Sequence, residues 1–315
     1  MTMDQRPQVS VFVPAHNEAG NITPLMEKID RAFTLRSLRG EVVLVNDGST
    51  DTTRQEAESC AARFPYLIVV NHRVRQGLTS AMKTAFRRVR GDIVIFLPAD
   101  LETDPEEDIP KLLDTMAEGY DVVAGWRKGR QGGKVVASGL YNLASRLLFN
   151  VRAHDMNWIK AFRREVLDDL PLRSDWHRFV LMVAASKGYR IGEVQTNYYP
   201  RQAGKSKYGF FRIVSLLDII VVKFLLTFSE KPMVFFGGLG GILVGTGAGV
   251  IAFLGILYLL EQGQRRPVFD LAVNMVLAGL LLFLVGFVAE LIVSQQERIE
   301  EIERRLRERD AGESR

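Results

Sequence analysis

The sequence predicts an α/β fold with a mostly parallel sheet and a membrane-directed appendage, and three observations carry that expectation. β-branched apolar runs alternate with helix-like stretches between Val9 and Leu97. Polar clusters stand directly after those runs. Two long stretches without a charged residue, Pro232–Leu260 and Leu271–Ala289, follow a mixed and charged segment over 1–200.

The runs Val9–Val13, Glu41–Asn46, Leu67–Asn71 and Asp92–Leu97 are bounded by turn residues and read as strands. Between them, 18–35, 50–63 and 76–89 carry helical spacing. Strands alternating with helices imply a parallel sheet covered on both faces. Ligands in such sheets bind beyond the carboxyl ends of the strands. His16-Asn17-Glu18 follows the first strand, Asp47-Gly48-Ser49 the second and Asp100 the fourth.

From Gly209 to Glu230 apolar content rises while Arg212, Asp218, Lys223 and Glu230 keep to about half of a helix circumference. This predicts one or two helices lying in a membrane surface, or an amphipathic helix packed on the soluble domain. A bilayer span needs about 20 apolar residues. Pro232–Leu260 exceeds that, and Leu271–Ala289 reaches it with its flanks. Two spans joined by the polar hairpin Glu261–Asp270 put both ends on one side. Lys205, Lys207, Arg212, Lys223 and Lys231 predict that this side is the cytoplasm. Gly237, Gly241, Gly245 and Gly249 form a ridge of close-approach positions, suited to the second span or to another subunit. After Ser294 the tail is dense in Glu and Arg, with Ile292, Ile299, Ile302 and Leu306 at seam-like spacing. Ridge and seam together raise a homo-oligomer as an expectation.

A formal charge of +4 over 315 residues, with no basic arm or zinc pattern, gives nucleic acid no support as a partner. The single cysteine, Cys60, excludes an intramolecular disulfide and a cysteine-built metal site. No positively charged segment followed by an apolar stretch stands at the N-terminus, so the α/β part is expected in the cytoplasm.

Carboxylates at strand ends are the first sign of chemistry. Glu18, Asp47, Asp100 and Glu102 cluster there; a nucleotide diphosphate needs a divalent cation, which wants carboxylate oxygens, and the Glu18 and Asp47 turns could offer acceptors to a ribose and base. The plain alternative for Asp47-Gly48-Ser49-Thr50 is a turn with a helix cap. Dinucleotide and ATP motifs are absent.

Pro14-Ala15-His16-Asn17-Glu18, Asn46-Asp47-Gly48-Ser49-Thr50-Asp51 and Ala99-Asp100-Leu101-Glu102 resemble the successive motifs of family 2 glycosyltransferases. Gly125-Trp126-Arg127, Asp155 ahead of Lys160-Ala161-Phe162-Arg163-Arg164, and the segment Arg201 to Lys207 continue the resemblance. With two spans following, the chain is similar to the polyprenyl-phosphate glycosyltransferases typified by dolichol-phosphate mannose synthase. The resemblance implies a GT-A, Rossmann-like catalytic domain over 1–207, membrane-surface helices over 208–231, a transmembrane hairpin over 232–293 and a charged cytoplasmic helical tail over 294–315.

It also implies roles, residue by residue. Pro14, Ala15, Asn17, Glu18 and Asp47 fall where the family holds the donor nucleoside, and Arg127 and Arg201 around the phosphates. Asp100 and Glu102 match the positions that bind Mg²⁺ or Mn²⁺. Lys134 and Ser138 match a basic residue and serine that hold the acceptor phosphate, with a solvated loop lysine as the alternative for Lys134. Lys205, Ser206 and Lys207 match a loop near the membrane that closes over the donor. Asp100, Asp155 and Arg201 are the residues expected to act in the transfer, with Asp155 on the acceptor side or, more plainly, capping a turn. Two positions depart from the pattern: Asn46 replaces an aspartate, and Pro98 replaces the first aspartate of D-x-D.

The implied reaction carries a UDP- or GDP-linked sugar onto undecaprenyl or dolichyl phosphate at a bilayer, with inversion. A processive polysaccharide synthase would carry Q-x-x-R-W and more spans, whereas the comparable region reads Asp175-Trp176-His177-Arg178-Phe179. A non-catalytic nucleotide-sugar-binding scaffold draws support from Pro98.

Overall fold

The structure, a computed structural model, describes residues 6–128, 148–149, 151, 153–170, 178–200, 213–228, 231–261 and 266–313. The chain divides into two compact units, Met1–Ile220 and Val221–Arg315.

The first unit opens with β1 (Val9–Ala15), α1 (Ile22–Leu35), β2 (Gly40–Asp47), α2 (Thr53–Arg63), β3 (Leu67–His72), α3 (Leu78–Phe86) and β4 (Ile93–Phe96). These match the four strands and three helices that hydrophobic spacing predicts. β1 and β2 are buried along nearly their whole length, as expected of strands covered on both faces. In α1 the stripe Ile22, Leu25, Met26, Ile29, Ala32 and Phe33 faces the core.

Beyond Leu97 hydrophobic spacing predicts no further strands, and the structure adds three. α4 (Pro105–Ala117) is followed by β5 (Val122–Lys128), β6 (Lys160–Arg163), α5 (Arg164–Asp169), α6 (Val180–Ser186) and β7 (Ile191–Asn197). Asp104 caps α4 by accepting from the Glu106 N–H at 3.1 Å, and Pro105 opens the helix where a missing N–H costs nothing. The sheet order is β3-β2-β1-β4-β6-β5-β7. β6 runs antiparallel to both neighbours, and every other described pairing is parallel. Chain order reverses at β1, with β2 on one side and β4 on the other, so a crevice opens beyond the ends of β1 and β4. Because β6 is reversed, its start lies at that same edge.

The helix α7 (Ile213–Phe228) falls within the stretch expected to be amphipathic. α8 (Pro232–Glu261) and α9 (Arg266–Glu313) follow. They contain two candidate membrane spans, Pro232–Leu260 and Pro267–Ile299, whose most apolar windows are only 6% and 11% buried. Such exposed apolar helices are not soluble core helices. The turn between α7 and α8 is held by Phe224 and Phe228 against Phe235, with both pairs of ring centroids 4.9 Å apart.

α8 and α9 touch backbone to backbone. A Cβ on Gly240 would lie 2.6 Å from the Gly279 carbonyl oxygen, and one on Gly279 would lie 2.6 Å from that of Gly240. Gly247 comes as close to the Ala272 carbonyl, at 2.7 Å. Of the predicted ridge only Gly237 approaches α9, its nitrogen 3.2 Å from where a Cβ on Gly286 would stand, whereas Gly241, Gly245 and Gly249 have open space at their Cβ positions. At the other end of the pair the Met233 N–H donates to Glu290 Oε2 at 3.0 Å.

Replacing Gly279 by Val forces α8 and α9 apart, because the obstruction is a carbonyl and not a side-chain end. The expected loss is about 1–3 kcal/mol, typical of overpacking, read as a lower unfolding midpoint in detergent. Gly245→Val leaves the midpoint unchanged.

Candidate active site

Side chains lock the loops after β1 and β2 together. The Asn17 N–H donates to Ser49 Oγ at 3.0 Å, Glu18 N–H to Thr53 Oγ1 at 2.8 Å and Gly20 N–H to Glu56 Oε2 at 2.6 Å. In return Asn17 Oδ1 accepts from the Thr50 N–H at 2.8 Å. Asn17 holds φ at 53°, a left-handed conformation that asparagine tolerates better than most residues. Glu18 Oε2 accepts from Asn21 Nδ2 at 3.0 Å. Asn46 makes a bond that an aspartate could not, donating from Nδ2 to Asn71 Oδ1 at 2.9 Å while accepting from the Ser49 N–H at 3.2 Å. The first departure from the family pattern is therefore built into the loop.

Asp47 is 5% exposed and organises the segment after β3. Its Oδ1 meets His72 Nδ1 and the Gln76 N–H, and its Oδ2 meets the Gly77 N–H, all at 2.8 Å. Burial pushes the Asp47 carboxyl up, but the bonds from Gln76, His72 and Gly77 outweigh it and hold it below its ordinary value. Gly48, at φ 61°, lets that segment close in, since a Cβ there would stand 2.3 Å from the Arg75 nitrogen.

After β4 the chain turns sharply at Asp100-Leu101-Glu102. Leu101 sits at φ 55°, an uncommon conformation for a bulky residue, and the Glu102 N–H folds back on Asp100 Oδ1 at 3.3 Å. Asp100 is 8% exposed. The exit of β7 is fastened to this turn, because the Tyr199 N–H donates to the Glu102 carbonyl at 3.0 Å. Tyr199 Oη and Asn197 Nδ2 donate to Glu107 at 2.9 and 2.8 Å. The backbone leading to position 201 thus leaves from beside Asp100 and Glu102.

The reversed β6 brings the segment 153–160 to the same edge. Arg127 Nε donates to Asp155 Oδ2 at 2.5 Å, and the guanidinium stacks 4.2 Å from the Trp158 ring centroid. Trp158 Nε1 is anchored to Thr196 Oγ1 at 3.1 Å. A Cβ on Gly125 would meet Ile159 at 2.5 Å, so glycine permits this approach. Alongside, Trp126 stacks on His154 at 4.2 Å, and His154 Nδ1 lies 2.6 Å from Glu193 Oε2. Lys160, 4% exposed, donates to the Trp158 carbonyl at 2.7 Å and lies 5.7 Å from the Phe96 ring centroid. Burial pushes its ammonium down to about 8, with Asp155 opposing and Arg127 adding to that shift.

Of the sequence-predicted residues, Asn17, Glu18, Asp47, Asp100, Glu102, Arg127 and Asp155 gather at this edge. Pro14 and Ala15 are the last β1 residues, paired with Val45 and Asn46. Lys134, Ser138, Arg201, Lys205, Ser206 and Lys207 lie outside the described residues, as do Asp175, Trp176 and His177. Residues that sequence reasoning passed over are His72, Trp158, Lys160 and Tyr199. A histidine closing a strand beside Asp47 was a usable signal for His72. Lys160 stood in a quoted motif without a role. Among the described residues no group of three or more His, Cys, Asp or Glu side chains forms a metal cage. The carboxylates of the Asp100–Glu102 turn fit instead a hard cation that arrives with a diphosphate, which needs one or two protein carboxylates.

Buried Lys160 has a pH signature. The unfolded chain keeps the lysine proton to about 10.5, whereas the folded one releases it near 8. In that window the unfolded state binds more protons, so this residue makes stability rise with pH; below pH 8 its cost is fully present. Lys160→Met is expected to lack that rise, read as the parent-minus-variant difference in urea midpoint from pH 7 to 10.5. A flat difference would refute it.

Residues 10–171 match the family model Glycosyl transferase family 2. The dodecaprenyl-phosphate galacturonate synthase of Rhizobium johnstonii is 30% identical over 303 residues, covering 90% of this chain and 87% of that protein. An undecaprenyl-phosphate 4-deoxy-4-formamido-L-arabinose transferase of Pseudomonas aeruginosa is 31% identical over 256 residues, covering 80% of this chain and 73% of its own. Among solved structures, glucosyl-3-phosphoglycerate synthase from Mycobacterium tuberculosis, in complex with Mg²⁺ and UDP, superposes with a TM-score of 0.54 at 20% identity. That likeness covers 69% of this chain and 79% of the synthase, and the shared fold is GT-A-like. With the α/β core matched from β1 to α5 and a relative aligned over nearly the whole length, the chain belongs to glycosyl transferase family 2, a family of sugar-transferring enzymes.

Proposed function

We propose that this protein is a membrane-anchored enzyme that transfers a sugar, with inversion, from a UDP- or GDP-linked donor to a polyprenyl phosphate. The carrying observation is the convergence at one sheet edge of the Asp100–Glu102 turn, the Arg127–Asp155 pair and the β7 exit leading to Arg201. Two supports come from outside the site: relatives named for transfer to polyprenyl phosphates align over most of the chain, and two exposed apolar helices are long enough to span a bilayer. On this reading the α/β domain faces the cytoplasm, 208–231 lies on the membrane, 232–293 spans it and 294–315 returns to the cytoplasm.

In the reaction a phosphate oxygen of the lipid attacks the anomeric carbon, the carbon–oxygen bond to the nucleoside diphosphate breaks, and that diphosphate leaves. A phosphate monoester has a second pKa of about 6 and arrives mostly ionised. The protein therefore contributes alignment and charge neutralisation more than proton abstraction. Asn17, Glu18 and the Pro14–Ala15 strand end line the nucleoside side. Asp47 acts there through the 72–77 segment that its carboxylate holds. Asp100 and Glu102 would hold Mg²⁺ or Mn²⁺, which would supply positive charge at the diphosphate; the M. tuberculosis synthase solved with Mg²⁺ and UDP supports a divalent cation accompanying the nucleotide. Arg127 and Arg201 add positive charge on the same side. Lys134 and Ser138 receive the acceptor phosphate, and the segment with Lys205, Ser206 and Lys207 closes over the donor. Asp155 orients Arg127 and, through it, the approach of the acceptor.

Pro98 favours a second reading, a non-catalytic nucleotide-sugar-binding protein, because proline cannot ligate a metal. Transfer from radiolabelled nucleotide sugars to polyprenyl phosphate separates the two. Under the catalytic reading Asp100→Asn lowers turnover about 10²–10³-fold, Glu102→Gln lowers it less, and a chelator abolishes activity that Mn²⁺ or Mg²⁺ restores. Near-normal transfer by Asp100→Asn in metal-stripped buffer would exclude the metal assignment.

The Arg127–Asp155 contact makes a further demand on kinetics. Asp155→Asn and Arg127→Gln are expected to be non-additive in kcat/KM, with the double variant scarcely slower than the worse single one. Additive losses would mean that the two side chains act separately.

A further inference from the structure

We infer that α9 associates with α9 of a second copy of this chain as a parallel, in-register coiled coil running from the end of the span into the charged tail. The helix carries two seams. The inner one, Ala272, Val276, Gly279, Phe283, Gly286 and Glu290, advances by alternating steps of four and three residues and is covered by α8. The outer one follows the same alternation on another face. Its a positions are Val285, Ile292, Ile299 and Leu306, and its d positions are Val288, Gln295 and Ile302. The apolar members of this outer seam are between 50% and 62% exposed. A shallow groove runs along it, lined by Val288, Ile292, Gln295 and Ile299.

Lipid accounts for this face from Val285 to Ile292, inside the span, but not for its continuation into the charged tail. From Gln295 onward the seam runs through Glu297, Arg298, Glu300, Glu301, Glu303, Arg304 and Arg305, residues that belong in water. Ile299, Ile302 and Leu306 are thus an apolar line on a charged helix, and α9 continues unbroken to Glu313.

The flanking charges choose the occupant and its direction. In this register Arg298 and Arg305 are g positions, and Glu303 and Asp310 are the e positions five residues on. Parallel copies set each g residue against the partner's following e residue, arginine against Glu303 or Asp310. Antiparallel copies set arginine against arginine and carboxylate against carboxylate. Parallel is also the arrangement open to two copies inserted the same way in one membrane. Gln295, the one polar core position between Val285 and Leu306, lies between two apolar layers and penalises any register that removes it from its counterpart.

The test uses the full chain in lipid nanodiscs, with stoichiometry read by light scattering. The parent is expected to form a dimer. Arg298→Glu with Arg305→Glu, and separately Glu303→Lys with Asp310→Lys, each weaken association roughly tenfold or more. Mixing the two variants restores it, because every g–e pair is then opposite in sign; that rescue shows that neither variant is misfolded. Ile299→Cys, in a Cys60→Ala background, cross-links to itself between copies. A monomeric parent overturns the inference and leaves lipid and solvent as the only cover. Association that survives both charge reversals, or that is lost in Gly245→Leu and not in them, also overturns it and assigns self-contact to the open glycine face of α8.

Discussion

The reversal of β6 within an otherwise parallel sheet decides which parts of this chain meet. A parallel strand in that place would begin at the opposite edge, carrying residues 153–159 away from Asp100. Inserted antiparallel between β4 and β5, it delivers Asp155 to Arg127, Trp158 to the guanidinium face and Lys160 to the end of β4. The same insertion spaces β5 and β7 outward, so the β7 exit passes the Asp100–Glu102 turn and is fastened there by Tyr199 and Glu107. The Arg127–Asp155 and Arg127–Trp158 contacts thus descend from one strand of four residues.

Lys160 is buried at that edge, and Arg127 and Asp155 lie half-buried beside it, their side chains 10% and 13% exposed. Burial is the main reason that the lysine value falls, and the Asp155 charge opposes the fall. On the other side of the crevice the loops after β1 and β2 are tied to each other by their own side chains.

The second unit divides its contacts by face in the same economical manner. Small residues let α8 and α9 meet backbone to backbone at Gly240 and Gly279, which leaves the opposite side of α9 to its exposed seam. Heptad spacing serves twice on one helix because the two seams are offset around its circumference.

Local pattern determined a good deal of this protein. β1 to β4 and α1 to α3 are legible because burial on both faces produces unbroken β-branched runs and one-sided helical stripes, properties of each segment alone. The carboxylates Glu18, Asp47, Asp100 and Glu102 were readable as a set because parallel topology puts strand ends at one edge. Tertiary structure decided the rest. β6 is too short for periodicity to register, and its direction depends on neighbours that are distant in sequence. Arg127 and Asp155 are 28 residues apart, and no local signal pairs them. Asp47 reads as a ligand-binding carboxylate in sequence, and no local signal shows that it also accepts from His72, Gln76 and Gly77. The glycine ridge shows the same limit: spacing reveals that a face is flat, but only the partner's position determines whether Gly241 or Gly240 meets the next helix, because close approach is a property of two backbones.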